Sequence, residues 1–383
     1  MDFDLSVEQT QLRDTVRHLM SREATDDRLR ELDEQEAYPY ELYARWVEMG
    51  LIGLPFPEEF GGMAGSIMDF VVVAEEIGRR GYDLAGLYGT PIFNGLNILE
   101  HGTDAQRAEL IPALIGGRVR FSISITEPGA GSDAAALRAA ATRVDGGYVL
   151  NGEKIFTSGA DLDDTIICVY ARTSRASRPQ SGITCFLVDN TAPGLEIRRV
   201  RTVGRHMFPT TQVLLDDVFV ADERVLGPVG GGWTILLSGL RLERLVTSAA
   251  YVGNARTVVD EALTYAKQRE QFGAPIGNAQ VIAHMLADMA TDVEAAALMT
   301  YRAAWMLERG NDALMEICMA KLFGSERFQH VSNCGMQILG GYGYTLEVSM
   351  QRHWRAARGA TITAGTSQMQ RQTIARQLGL RPR

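Results

Sequence analysis

Along the first third of the chain, apolar residues recur at intervals of three and four. Ser6 and Gln9 form a capping-box pattern ahead of Leu12, Val16 and Leu19, which predicts a helix start. Leu42, Trp46 and Met49 repeat the spacing and stop at Gly50. The loop Leu54-Pro55-Phe56-Pro57-Glu58-Glu59-Phe60-Gly61-Gly62 interrupts. Ile67 to Arg80 then resumes a helix, and Gln106 to Ile115 predicts another ending at Gly116-Gly117. Around residue 121 the period falls to two. Phe121, Ile123 and Ile125 alternate with Ser122, Ser124 and Thr126, the pattern of a half-buried strand. Further strands are expected at Thr165 to Tyr170, Ile183 to Val188, Leu195 to Arg199 and Gln212 to Val220. Asp145-Gly146-Gly147 and Asn151-Gly152 read as hairpin turns around Tyr148-Val149-Leu150.

No helical pattern separates these strands, so the middle of the chain predicts an antiparallel β domain of barrel or sandwich type rather than a Rossmann unit. From Gly230-Gly231-Gly232 helices return: Trp233 to Arg269, Gln280 to Gly310, Asp312 to Leu339, and a last one starting near Thr366. Small residues between Ala249 and Ala255 allow close helix packing. The expected organisation is a multidomain α+β protein with a helical domain over 1–120, a β domain over 121–230 and a helical domain over 231–383.

Composition narrows the function classes. A chain of 383 residues exceeds one ordinary core. A net charge of −9 argues against nucleic-acid binding. Cys168, Cys185, Cys318 and Cys334 are far apart and read as reduced thiols, and the six histidines show no metal-ligand spacing, so no metal site is expected. The acidic, amphipathic N-terminus is unlike a secretory signal, Met1 argues against a removed transit peptide, and no apolar run approaches the length of a membrane span. The expected location is cytoplasmic.

The chemistry concentrates in Thr126-Glu127-Pro128-Gly129-Ala130-Gly131-Ser132-Asp133, which follows the strand at 121–125. Glycines allow close backbone approach and Pro128 fixes φ, so the loop suits backbone and hydroxyl contacts to a large polar ligand. A tight turn followed by a helix cap is the alternative. With this loop between helical ends, the chain resembles the acyl-CoA dehydrogenase family over essentially its whole length. Four further stretches carry the resemblance in order: Gly152-Glu153-Lys154-Ile155-Phe156-Thr157-Ser158-Gly159, Gln268-Arg269-Glu270-Gln271-Phe272-Gly273, Gln337-Ile338-Leu339-Gly340-Gly341, and Gly365-Thr366-Ser367-Gln368-Met369-Gln370-Arg371.

The resemblance implies a C-terminal four-helix bundle, and FAD held between subunits of a homotetramer, a dimer of dimers. Thr126 then hydrogen-bonds the flavin ring, Phe156 packs against it, and Ser158 lies near N5. Arg269 and Phe272 match residues reaching the pyrophosphate region of a neighbouring subunit's FAD. Gln337, Gly341, Thr366 and Gln368 match further dinucleotide contacts, and Ser132 a contact to the CoA part of the substrate. Four of these have a plainer reading: Phe156 as core, Gln337 and Gly341 as helix termination, Arg269 as a solvated charge. The chain departs from the pattern at Ala356, where relatives usually carry an acidic residue, and at Ala364, where many carry the catalytic glutamate.

Dehydrogenating a thioester needs a carboxylate in an apolar pocket, where desolvation raises its pKa. In Leu240-Arg241-Leu242-Glu243-Arg244-Leu245-Val246, Glu243 shares a helix face with Leu236, Leu240, Thr247 and Ala250, one carboxylate on an apolar stripe. Isovaleryl- and long-chain-type members of the family carry their glutamate at this position. By the resemblance, the Ala364 N–H still donates to the thioester carbonyl together with a flavin ribityl hydroxyl, and Arg244 orders the site against the substrate. An ion pair of Glu243 with Arg244, Arg241 or another arginine is the structural alternative. The expected activity makes a trans-2-enoyl-CoA and passes electrons to an electron-transferring flavoprotein. Carrier-protein substrates, use in the reductive direction, and a non-catalytic FAD-binding subunit remain open. At 383 residues the chain is too short for the peroxisomal oxidase branch, and the monooxygenase branch usually lacks both the 126–133 loop and the base. The acyl chain is not readable.

Overall fold

The computed structural model describes residues 4–175 and 177–381; Met1, on which the leader reading rests, lies outside them. Six helices open the chain: α1 Val7–Glu23, α2 Asp26–Glu34, α3 Tyr40–Glu48, α4 Ile67–Gly78, α5 Tyr82–His101 and α6 Asp104–Ile115. The capping box forms as expected. Gln9 N donates to Ser6 Oγ at 3.2 Å and Ser6 N to Gln9 Oε1 at 3.1 Å, satisfying two of the N–H groups a helix start leaves free. The helix expected at Ile67 to Arg80 ends at Gly78. Two helices had no forecast. The short α2 is too charged to show an apolar stripe. In α5, buried residues occur on every side, from Leu84 and Tyr88 to Ile92 and Asn97, so no polar face marks its period.

The middle segment is a sheet of β1 Arg120–Ser124, β2 Ala140–Val144, β3 Gly147–Ser158, β4 Thr165–Arg172, β5 Ile183–Asp189, β6 Leu195–Arg199, β7 Thr210–Ala221 and β8 Val225–Leu226. Its order is β6-β7-β3-β2-β4-β5-β8, with β1 attached to β4. Alternate residues of β3, β4, β5 and β7, including Leu150, Val169, Phe186 and Val218, fill its interior. The opposite faces of β4 and β5, with Cys168, Tyr170, Cys185 and Leu187, join the helical core.

Three sequence expectations need correction here. The sheet is mixed rather than antiparallel, because β1 pairs β4 in parallel and β2 meets β4 in parallel at Ala140–Arg172. Asp145-Gly146 does turn β2 into β3, but Asn151-Gly152 is no turn. The long β3 runs through it against β7, with a register shift between Leu150 and Gly152 that absorbs the glycine's φ of 147°. The serines of β1 do not face solvent either. Ser122 and Ser124 are fully buried, Ser122 Oγ donating to Ser158 O at 2.7 Å and Ser124 Oγ pairing with Thr157 Oγ1 at 2.8 Å.

The C-terminal helices are α7 Gly232–Gln268, α8 Gln280–Glu308, α9 Leu314–Leu339, α10 Met350–Ala360 and α11 Ser367–Gln377. A short hairpin, β9 Glu270–Gln271 with β10 Ala274–Pro275, joins α7 to α8. Helices α7, α8 and α9 pack on one another, α10 and α11 lie against α9, and α4 and α5 press onto α7. One apolar core therefore runs from Val16 through Tyr88 and Val246 to Ala360. The small residues of α7 permit this contact as expected: a Cβ on Gly253 would lie 1.9 Å from Glu75 O. The unforecast α10 buries Ala356, beside Arg355, whose guanidinium ion-pairs with Asp33 of α2.

Candidate active site

At the end of β1 the chain enters the 126–133 loop. Glu127 and Ala130 bond each other's backbone at 3.1 and 3.0 Å around Pro128-Gly129, a closed turn. Glu127 is spent on holding it. Its Oε1 accepts from Ala139 N and Lys154 Nζ, both at 2.8 Å, and its Oε2 from Arg138 N at 2.6 Å. Burial alone raises the Glu127 pKa, but Lys154 and the two amides hold it below the ordinary carboxylate value. Gly131 and Ser132 stand exposed at the loop's tip.

Beside this loop, Ile155 N donates to Thr126 O at 2.8 Å, so β3 presents Phe156 and Ser158 next to Thr126. The ladder of β3 with β7 shifts register between Ile155 and Thr157. Phe156, at the shift, has φ 60° and is 61% exposed, so it is not a core residue. A strained, outward aromatic flanked by the partly exposed Thr126 and Ser158 is an open shelf that fits a planar ring with polar edges.

The second part lies where α7 meets the turn after α10. The carboxylate of Glu243 has no hydrogen bond and no ion pair among the described residues. The arginines proposed as its partners are engaged elsewhere: Arg244 Nε donates to Ala364 O at 3.2 Å, and Arg241 pairs with Asp312 at 3.5 Å. Glu243 is surrounded by protein while one edge still meets solvent, as at the floor of a cleft. Burial raises its pKa above the ordinary 4.5, with Arg244, Arg205 and Lys321 opposing. Ala364 has φ 54°, a left-handed backbone that L-residues adopt at a cost of about 1 kcal/mol. Its carbonyl is held by Arg244 and by Gln370 Nε2 at 3.2 Å, leaving its N–H without a partner among the described residues.

Two cations here went unforecast. Lys321 is fully buried on α9, donating to Gly365 O at 2.7 Å and Ala360 O at 3.0 Å; burial, then Arg244, pushes it down to about 8. Its signal is legible in hindsight: one lysine on a face with Ile317, Gly324 and Phe328. Arg205, between β6 and β7, has φ 68° and donates to Ser158 Oγ at 3.3 Å, so it joins the shelf to the glutamate. Loop residues have no period, and nothing in the pattern singles it out.

The remaining predicted residues divide. Thr366 caps α11 by accepting from Met369 N at 3.2 Å, and Gln368 is exposed two residues on, in the first turn. Arg269 and Gly341 line a separate groove of about 470 Å3 with Tyr265, Ile276 and Tyr342, the Arg269 guanidinium 6.0 Å from the Tyr342 ring centre. Gln337 is exposed near it on the last turn of α9, and Phe272, φ 54°, projects wholly into solvent from the hairpin. At 1.5 Å per residue, Arg269, just past the end of α7, lies about 39 Å along the helix axis from Glu243. The predicted residues thus form two clusters in one protomer. Among the described residues, no group of three or more His, Cys, Asp or Glu is placed to hold a metal, and no helix is long and apolar enough to cross a membrane.

An exposed aromatic shelf, an unpaired carboxylate and a free backbone donor are joined here through Arg205, and the family to which the chain is matched is one of flavin-dependent oxidoreductases acting on a CH–CH bond. Three family models match: acyl-CoA dehydrogenase N-terminal domain over residues 6–118, middle domain over 122–218 and C-terminal domain over 230–379. The chain belongs to the acyl-CoA dehydrogenase family, and its cofactor is FAD. It is 36% identical to benzylmalonyl-CoA dehydrogenase of Aromatoleum aromaticum, over 99% of this chain and 100% of that one. It is 34% identical to the caffeyl-CoA reductase–Etf complex subunit CarC of Acetobacterium woodii, over 95% and 96%. Among solved structures it resembles butyryl-CoA dehydrogenase from Megasphaera elsdenii (TM-score 0.95, 30% identity, 99% and 100% covered) and an FAD complex of PigA (TM-score 0.93, 28% identity, all of both chains).

Proposed function

We propose that the chain dehydrogenates an acyl-CoA to a trans-2-enoyl-CoA, with Glu243 removing the α-proton. The carrying observation is a carboxylate enclosed beside three cations and bonded to none of them. A paired glutamate would be a weaker base and could not reach a substrate without losing its partner. The unpartnered Ala364 N–H donates to the thioester oxygen and stabilises the enolate as the proton leaves. Arg244 fixes that donor through the carbonyl of the same residue. Bound FAD supplies the acceptor for the hydride from the β-carbon. Thr126, Phe156 and Ser158 hold its ring, and Thr366 and Gln368 contact the dinucleotide. Ser132, at the exposed tip of its loop, meets the CoA portion. Arg269, Phe272, Gln337 and Gly341 serve the FAD of a neighbouring subunit in a homotetramer, since one dinucleotide cannot span both clusters of a protomer. Electrons leave to an electron-transferring flavoprotein.

A second reading runs the same site in reverse, and the similarity to a caffeyl-CoA reductase subunit favours it. Anaerobic mixing with a panel of acyl-CoAs separates the two. Bleaching of the flavin by a saturated acyl-CoA supports dehydrogenation. Reoxidation of reduced enzyme by enoyl-CoAs alone supports the reverse, bleaching only with a carrier-bound acyl group moves the substrate off CoA, and no response contradicts both.

A further inference from the structure

Arg205 acts on a second carboxylate besides Glu243: Asp83, in the first turn of α5, whose helix neighbours Tyr82 and Gly86 lie against the Arg205 guanidinium. Asp83 is 5% exposed, and its carboxylate makes no hydrogen bond or ion pair among the described residues. Arg205 makes one hydrogen bond, to Ser158; its Nε is buried without an acceptor, and its guanidinium lies 5.8 Å from the Tyr82 ring centre and 5.6 Å from that of Phe208. The two do not form an ion pair within 4.0 Å. Both adjoin the site. Tyr82 OH meets Thr363 Oγ1 at 3.3 Å, one residue before Ala364, and a Cβ on Gly86 would lie 3.7 Å from Arg205 Nη2.

The other nearby charges are occupied. Asp33 is shared by Arg355 and His206, Arg244 and Lys321 bond carbonyls, and only Glu243 is also free. Burial raises Asp83 to about 6, partly offset by Arg205. Leaving two such groups unpaired costs folding free energy, and a plain alkyl chain placed against them would satisfy neither.

We propose that Asp83 and Arg205 are specificity residues for a hydroxyl on the acyl group, beyond the two reacting carbons. A hydroxyl donates to the Asp83 carboxylate and accepts from Arg205, matching both unused groups at once. A carboxylate satisfies Arg205 alone and is repelled by Asp83 and Glu243. The proposal rests on the dehydrogenase reading for the location of the acyl group, but binding tests it independently of catalysis.

The experiment uses the FAD-loaded enzyme and pairs of CoA thioethers of equal chain length, with and without a hydroxyl on the γ carbon or beyond. The affinity of each is measured by calorimetry. The expected result is a preference for the hydroxylated partner of about 10- to 100-fold, the range for a hydrogen bond to a charged group. Asp83→Leu should abolish or invert this preference, and Asp83→Asn, which keeps the shape, should reduce it. FAD content and Tm establish that each variant is folded. Equal affinities in the wild type, tighter binding of an ω-carboxyalkyl thioether than of the hydroxylated one, or a preference unchanged in Asp83→Leu each overturn the proposal. Failure of the dehydrogenase reading looks different: no acyl-CoA of any kind bleaches the flavin.

Discussion

At the scale of single residues, the site is built from groups held in states they would not choose alone. Glu243 and Asp83 are desolvated carboxylates, and Phe156, Arg205, Phe272 and Ala364 sit at positive φ. Folding raises the pKa of Glu243, so the native state favours its protonated form. Stability is then lost as pH rises from the unfolded value near 4.5 through the folded one. Glu243→Gln should therefore raise Tm at neutral pH, with the gain vanishing well below pH 4.5, as thermal melts across pH will show. The same elevated pKa requires the rate of flavin reduction by substrate to fall as pH drops through it. The candidate base was legible because a helix makes one carboxylate on an apolar stripe stand out. Arg205 was not, because a loop carries no period against which an exception can be seen.

At the scale of elements, two contacts fix where these residues point. The loop after β1 hangs on the buried Glu127–Lys154 pair. Glu127→Ala leaves Lys154 charged and unpaired in the interior and should cost about 3–5 kcal/mol. Adding Lys154→Met should restore much of it, and denaturant melts with flavin content will measure both. Folding depresses the Glu127 pKa, so the stability it contributes is present at neutral pH and lost as pH falls through its folded value. The crossing of α4 on α7 is equally demanding. Gly253→Ala places a methyl against Glu75 O and should destabilise by about 1–3 kcal/mol or more. Periodicity and glycine placement revealed most of these elements. It failed for α5, whose buried surround erases the polar face, and for the serine side of β1, where hydroxyls face β3 instead of water. In both, tertiary burial overrides the local pattern.

At the scale of the molecule, the last two-thirds of the 37-residue α7 separates the Glu243 cleft from the Arg269 groove. Sequence order could list both sets of residues, yet their separation is a fact of three dimensions. If each groove serves a neighbouring copy, Arg269→Ala should lose FAD while the chain stays folded. Mixed oligomers of Arg269→Ala and Glu243→Gln subunits should then recover part of the activity that neither has alone, because some sites receive both intact residues. No recovery on subunit exchange would place both clusters in separate roles. The central claim is the base itself, and anaerobic stopped-flow reduction of the Glu243→Gln holoenzyme by an acyl-CoA that bleaches the wild type tests it most directly. The expected result is retained yellow FAD and a native fold no less stable than the wild type's, with reduction slowed about 10²- to 10⁴-fold, the contribution of a positioned general base. Reduction at the wild-type rate would contradict it.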